Sequence, residues 1–289
     1  MSIVFIFVND NGEVIEHFLG VVHVNDTSTQ TLKNSIDDFF AINGLSISQL
    51  RGQGYDGASN MRVLVTTTKK NGHVCTFFEY LAMIVNVVGA SCKRKDVVLQ
   101  KHHDDLVKRI ESGEVATGKG KNEETSLARP GDTRWGSHFK TITRILDMWD
   151  AVTHVLDTIF EDGNEPNSRG IARGLIENMN KFEFVFIAHL MVDVLAETNT
   201  LSMCLQQKIQ NIVTAVRMIK TVKDELKKYG NDDDCWEELL GVITAFCTKN
   251  NIFVPNMQDP KLGQGRAKLY RSVDGHPKTY YHFFRRDLF

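Results

Sequence analysis

The first 24 residues contain two short apolar segments joined by a turn, and this pattern constrains how the chain begins to fold. Residues 2–9 are rich in β-forming side chains, and residues 13–24 alternate well enough to be the returning strand. Asn9-Asp10-Asn11-Gly12 lies between them and is a strong hairpin signal. Apolar side chains then recur at helical spacing from about Thr29 to Ile42, and a strand is predicted around 46–54.

From Thr76 onward the apolar periodicity is helical almost throughout. Apolar residues from Phe77 to Val88 predict one buried helix face. Further helices are predicted at 96–112, from Asp132 to about Phe160, near 170–180, 183–205 and 207–229, and at 236–249. The fold class is therefore α+β and mostly helical. We predict three parts: 1–72 with the hairpin, helix and strand, 73–254 all helical, and a basic and aromatic tail at 255–289.

Composition excludes several classes of protein. The 289 residues are 42% hydrophobic and 24% charged, with a net charge of -2, so any nucleic-acid surface must be local. The five cysteines are scattered without a CxxC pair, which indicates reduced thiols and no zinc site. No apolar run reaches the roughly 18 residues that a membrane span requires. We expect a protein of the nucleus or cytoplasm, with no membrane partner and no small-molecule substrate.

The segment from Gly52 to Met61 places three glycines and one carboxylate in ten residues, directly after a predicted strand. Glycines let a backbone turn sharply and approach a ligand closely, and Asp56 has the position of a catalytic or metal-binding carboxylate. The alternative is a turn that caps a helix, with Asp56 or Ser59 as the capping residue.

Arg134-Trp135 is a candidate nucleic-acid contact at the beginning of a predicted helix. A tryptophan can stack on an unpaired base while the guanidinium holds a phosphate. Alternatively, Trp135 fills the space between two helices.

The tail interleaves aromatic side chains with Arg285 and Arg286. Basic and aromatic residues together can bind nucleic acid through phosphate contacts and stacking. The alternative is a strand or arm that packs on a missing part of the protein.

His102-His103-Asp104-Asp105 has the side chains of a metal site but not the spacing. Side chains of adjacent helical residues point about 100° apart, so the two histidines cannot easily bind the same metal ion. We interpret this run as a solvated helix face.

Several long motifs resemble a known family. RGQGYDGASNM at 51–61, ARPGDTRWGSHFKT at 128–141 and FEFVFIAHLM at 182–191 resemble hAT-superfamily transposase-derived proteins of plants, often described as TTF-type or zinc-finger MYM-type protein 1-like. CWEELLGVITAFC at 235–247 and NIFVPNM at 251–257 are also similar to that family.

The resemblance implies an RNase H-like core interrupted by a long helical insertion. It implies DNA cleavage by three acidic residues and two divalent cations, Mg²⁺ or Mn²⁺ in active relatives. Asp56 would be the second of the three acids and a metal ligand. Arg134 and Trp135 would belong to the insertion motif that contacts the transposon end near a flipped base.

The sequence departs from this family in ways that affect activity. The first acid is expected before residue 1 and the third after residue 289, and no Cys-x-x-His motif follows Met61. The chain is therefore expected to be truncated and internally deleted, with no cofactor and no catalysis of its own. We expect an inactive transposase remnant that binds DNA weakly; the alternatives are a module that binds another protein or an intact relative, and an active metal-dependent nuclease.

Overall fold

Residues 1–24, 29–46, 48, 71–113, 127, 135–162, 165–205, 212–261 and 278–288 are the parts of the chain that the computed structural model describes. The chain divides into two compact units, Met1–Asp56 and Gly57–Phe289. The described residues are mostly helical, with a small β-hairpin at the N-terminus, as the sequence predicts.

The N-terminal unit begins with an antiparallel hairpin of β1 (Ser2–Val8) and β2 (Val14–Val21), in which Phe5 faces His17. Asn9 shapes the turn, because its Oδ1 accepts hydrogen bonds from the backbone N–H groups of Asn11 and Glu13 at 3.1 and 2.9 Å. Gly12 has a φ of 80°, a conformation that glycine adopts without a steric penalty. The predicted hairpin is confirmed.

One helix, α1 (Thr29–Ile42), covers part of this hairpin, and its bounds are those that the sequence predicts. The ring centroids of Phe40 and Phe5 lie 5.5 Å apart in an edge-to-face arrangement. Ile3 and Phe40 are the buried apolar side chains described in this unit. The predicted third strand around 46–54 lies outside the described residues except for Ser46 and Ser48.

The larger unit is a set of packed helices. They are α2 (Gly72–Gly89), α3 (Cys92–Glu111), α4 (Trp135–Asp147), α5 (Trp149–Asp162), α6 (Pro166–Met179), α7 (Phe182–Leu205), α8 (Ile212–Asn231), α9 (Asp233–Lys249) and the short α10 (Tyr280–His282). Apolar residues of α2 and α7 form the centre of its hydrophobic core together with residues of α5 and α9.

The first half of helix α7 lies in this hydrophobic core. Nine of its residues between Phe182 and Leu195 are buried, on several faces of the helix. A helix that is apolar nearly all round is typical of a core surrounded by other helices. By length and composition alone α2 and α7 could each cross a membrane, but a core helix passes the same test. The expectation that no membrane is involved stays a prediction.

The predicted helix from Asp132 to about Phe160 is wrong in one respect, because the chain forms two helices that meet at Met148. Helix α4 packs mainly against α7, whereas α5 packs against α6 and α3. The chain therefore has to turn between two sets of neighbours. Met148 and Trp149 are both buried at this turn, which explains why apolar periodicity continues through it.

Candidate functional site

The residues that carry the predicted chemistry fall largely outside the described part of the chain. Asp56 and Arg134 lie outside the described residues, and Trp135 is the first residue of α4, with a side chain that is also outside them. The catalytic and metal roles of Asp56 and the nucleic-acid roles of Arg134 and Trp135 therefore stay predictions.

The end of the predicted tail is described, and it packs against the helical unit. We define residues 278–288 as the C-terminal segment; it comprises α10 and a π-helical turn at Phe283–Asp287. Phe283 and Phe284 are fully buried, and the ring centroid of Phe284 lies 4.6 Å from that of Phe186 on α7. Aromatic burial of this kind stabilises strongly, so the segment completes the core.

Arg285 has a structural task in this segment. Its side chain is 4% exposed, and its Nη1 lies 2.6 Å from Asp233 Oδ1 at the beginning of α9. The same Nη1 donates to the hydroxyl of Tyr281. The guanidinium carbon lies 5.7 Å from the ring centroid of Trp236, within the range of a cation–π contact. Nucleic-acid binding by Arg285 stays a prediction, but this geometry removes its guanidinium from solvent, whereas Arg286 is exposed.

A cluster of three ionisable side chains lies beside the same segment and joins two helix beginnings. Glu183 in the first turn of α7 places Oε1 2.6 Å from His73 Nδ1 and Oε2 3.0 Å from Lys261 Nζ. Lys261 Nζ also lies 3.7 Å from the ring centroid of Phe283. We call His73, Glu183 and Lys261 the carboxylate cluster. Its members come from three distant parts of the sequence, so no motif or spacing could have indicated it.

A cleft of about 510 Å³ opens beside the carboxylate cluster. Three lining side chains are apolar (Phe77, Phe184 and Ile187), and the rest of the lining is Gly72, His73, Thr76, Tyr80, Asn178, Lys181 and Glu183. The volume is within the range of small-ligand pockets, but the lining is more polar than is usual for them. The contact with Glu183 holds the imidazole of His73 at the edge of this cleft.

A second cavity, of about 290 Å³, lies where α7, α8 and α9 meet. Asp193 lines it, and burial together with the nearby Glu238 and Glu197 raises the pKa of its carboxyl to about 6. Burial also lowers the pKa of His189 in the same lining, against a backbone hydrogen bond with Val185 that raises it. This junction therefore concentrates negative charge in a partly desolvated place.

In the His102 to Asp105 run, His103 and Asp104 are exposed as the sequence predicts, whereas His102 and Asp105 are half-buried. Asp105 Oδ1 lies 3.7 Å from Lys101 Nζ and 3.9 Å from Lys108 Nζ. Among the residues that the structure describes, no group of three or more His, Cys, Asp or Glu side chains is arranged to hold a metal ion. The absence of a bound metal ion stays a prediction, because Asp56 lies outside the described residues.

Comparison with known protein families gives a match at the N-terminal end. No solved structure matches the chain. Residues 1–66 match the family model of the ZMYM1/FAM200 RNase-like domain, and that stretch includes the hairpin, α1 and Asp56. The match supports an origin of this chain in a ZMYM/hAT-like transposase-derived family.

Proposed function

We propose that this chain is a transposase-derived protein that has no nuclease activity of its own and retains weak binding to DNA. The observation that carries the proposal is the match of residues 1–66 to an RNase-like domain of transposase-derived proteins. The motifs around Asp56 and Arg134 support it further, because they resemble the plant hAT relatives in which DNA is the substrate. We also propose a plant origin, a nuclear location and an internal deletion after Met61.

The absence of catalysis follows from the number of acids that the resemblance assigns. Two-metal DNA cleavage requires several carboxylates that hold both cations, and Asp56 is the one residue of this chain that matches the triad. Supercoiled plasmid incubated with the protein and Mg²⁺ or Mn²⁺ is expected to stay intact. Metal-dependent nicking that disappears in the Asp56→Ala variant would overturn this part of the proposal.

The binding to DNA is assigned to Arg134, Trp135 and Arg286. Arg286 is exposed on the C-terminal segment, and an arginine and tryptophan pair can hold a phosphate and a base together. Fluorescence anisotropy with a labelled duplex at low salt should detect binding that weakens as salt increases. An Arg134→Gln/Arg286→Gln variant should bind more weakly, and wild-type protein that does not bind at low salt contradicts the proposal.

A second candidate function is a protein-interaction module built on the helical unit. It is favoured by three exposed apolar side chains at the end of α7 and the beginning of α8, since Met203, Val213 and Val216 are each more than half exposed. Sedimentation velocity over a range of concentrations tests association with a second copy. Association that is lost in Val213→Ser/Val216→Ser supports this function, and a monomer at every concentration contradicts self-association.

A further inference from the structure

Helix α8 differs in charge from the two helices on which it packs. Its twenty residues contain five Lys or Arg and two Asp or Glu. By contrast, α7 contains three Asp or Glu and no Lys or Arg, and α9 contains four Asp or Glu and one Lys. The whole chain has a net charge of -2, so α8 is a local concentration of positive charge.

The cations of α8 lie on its solvent side. Arg217, Lys220, Lys223 and Lys227 are all exposed, and we call them the basic face. A turn of about 100° per residue places them within about 120° of one another around the helix axis. They extend over ten residues, which is about 15 Å along the axis.

The opposite side of α8 is occupied by its own protein. Ala215, Met218, Val222 and Leu226 are half-buried on that side, and α8 makes its helix contacts with α7 and α9. An interfacial membrane helix needs a free apolar side opposite its basic side. In α8 that opposite side is already packed, and the exposed Val213 and Val216 lie on the same side as the cations, so the geometry favours a polyanion over a lipid surface.

Acidic neighbours neutralise only the end of the row. Asp224 Oδ1 lies 3.5 Å from Lys227 Nζ, and Glu225 Oε2 lies 2.9 Å from Lys228 Nζ. Within the described ranges no ion pair involves Arg217, Lys220 or Lys223. These three cations can therefore pair with an external anion without breaking a contact of the fold.

We propose that the basic face of α8 binds the phosphate backbone of duplex DNA. This inference rests on the proposed function and adds further contact residues to Arg134, Trp135 and Arg286. A row of cations along about 15 Å of one helix side can follow several successive phosphates of one strand. Because the contacts are to phosphates, the binding is independent of base sequence.

The test compares two variants that lose the same charge. The first is Arg217→Gln/Lys220→Gln/Lys223→Gln on α8, and the matched control is Lys93→Gln/Lys95→Gln/Lys108→Gln on α3, whose three lysines are exposed. Anisotropy is measured with a labelled duplex between about 50 and 200 mM salt, the range over which phosphate contacts are strongly screened. Circular dichroism of both variants shows whether the helices are intact.

We expect the α8 variant to bind DNA about tenfold or more weakly than the control. The slope of log binding constant against log salt concentration should be shallower by about two to three, because three phosphate contacts are lost. Equal binding by the two variants overturns the inference. If the α8 variant binds like wild type while Arg134→Gln/Arg286→Gln loses binding, only this inference fails; absence of binding by wild type contradicts both proposals. Vesicles of phosphatidylserine and phosphatidylcholine are the last probe, and α8-dependent binding to vesicles but not to DNA overturns the assignment to DNA.

Discussion

Arg285 Nη1 lies 2.6 Å from Asp233 Oδ1, so the C-terminal segment is joined to the first turn of α9 by a buried guanidinium and an exposed carboxylate. The exposures of the two side chains are 4% and 86%. This asymmetry decides what each substitution does, because the exposed carboxylate is screened by water, whereas the buried guanidinium also packs against Trp236 and donates to Tyr281. The pair therefore fixes the segment mainly through Arg285.

The first prediction concerns this pair. Asp233→Asn should lower the free energy of unfolding by about 1 kcal/mol, since the exposed carboxylate is screened by water. Arg285→Gln should lower it by about 2 kcal/mol, because the packing against Trp236 and the hydrogen bond to Tyr281 are lost as well. Urea denaturation of both variants provides the measurement.

The control for this pair is Arg286→Gln, which changes an exposed arginine next in sequence. It should change the free energy of unfolding by less than about 0.5 kcal/mol. Equal effects of Arg285→Gln and Arg286→Gln would show that Arg285 is not buried as described.

The second prediction concerns the carboxylate cluster. Glu183→Gln replaces the carboxylate that contacts both His73 and Lys261 by a neutral amide. Lys261 Nζ is then left against the Phe283 ring without its anion. We expect faster amide exchange across 278–288, because this segment loses one of its anchors to α7. Hydrogen exchange followed by mass spectrometry measures it.

Glu177→Gln is the matched control for Glu183. Glu177 also pairs with a cation, Arg173, but both side chains are exposed and lie four residues apart on α6. This pair should contribute little to stability, and exchange at 278–288 should not change. If the two variants give the same exchange, the carboxylate cluster does not anchor the segment.

The sequence predicts the local elements of this fold well and its long-range contacts not at all. The Asn9 to Gly12 turn and α1 follow from signals contained within a few residues, and both agree with the structure. The break between α4 and α5 at Met148 is missed because Met148 and Trp149 are both buried, so the apolar pattern of the sequence continues through it. What turns the chain is the choice of packing partners, which no local signal contains.

The site illustrates the same limit more strongly. His73 and Glu183 are 110 residues apart in sequence, and Glu183 and Lys261 are 78 apart. Arg285 resembles a surface arginine in its local sequence, and only the position of α9 shows that it is buried. The sequence instead identifies Asp56, Arg134 and Trp135 through motifs, and these residues lie where the structure gives no side-chain geometry.

The third prediction concerns pH. The carboxyl of Asp193 has its pKa raised from 3.8 to about 6 in the folded protein, first by burial and then by Glu238 and Glu197. Between about pH 4 and 6 the folded state therefore holds a proton that the unfolded state has released. The contribution of Asp193 to stability is complete below pH 4 and is lost as pH rises through about 6.

Asp193→Asn should therefore raise the free energy of unfolding above pH 7 by about 1 kcal/mol, after allowance for its partial exposure to solvent. It should also flatten the pH dependence between 4 and 6. Urea denaturation at several pH values measures both effects. Asp162→Asn, at an exposed position on α5, serves as the control and should leave the profile unchanged; a profile unchanged in Asp193→Asn would contradict the prediction.

The fourth prediction concerns two of the five free cysteines. Cys247 on α9 is fully buried, and burial raises the pKa of its thiol to about 11, whereas Cys92 is exposed at the beginning of α3. Alkylation requires both access and the thiolate, so in the native protein iodoacetamide should modify Cys92 readily and leave Cys247 unmodified. Mass spectrometry after timed labelling measures both sites in one sample.

Labelling in urea is the control, and Cys247 should become reactive there because both barriers disappear on unfolding. Modification of Cys247 at the rate of Cys92 without denaturant would contradict the prediction. It would mean that the core around Ile243 and Trp236, which is buried in the structure, opens freely.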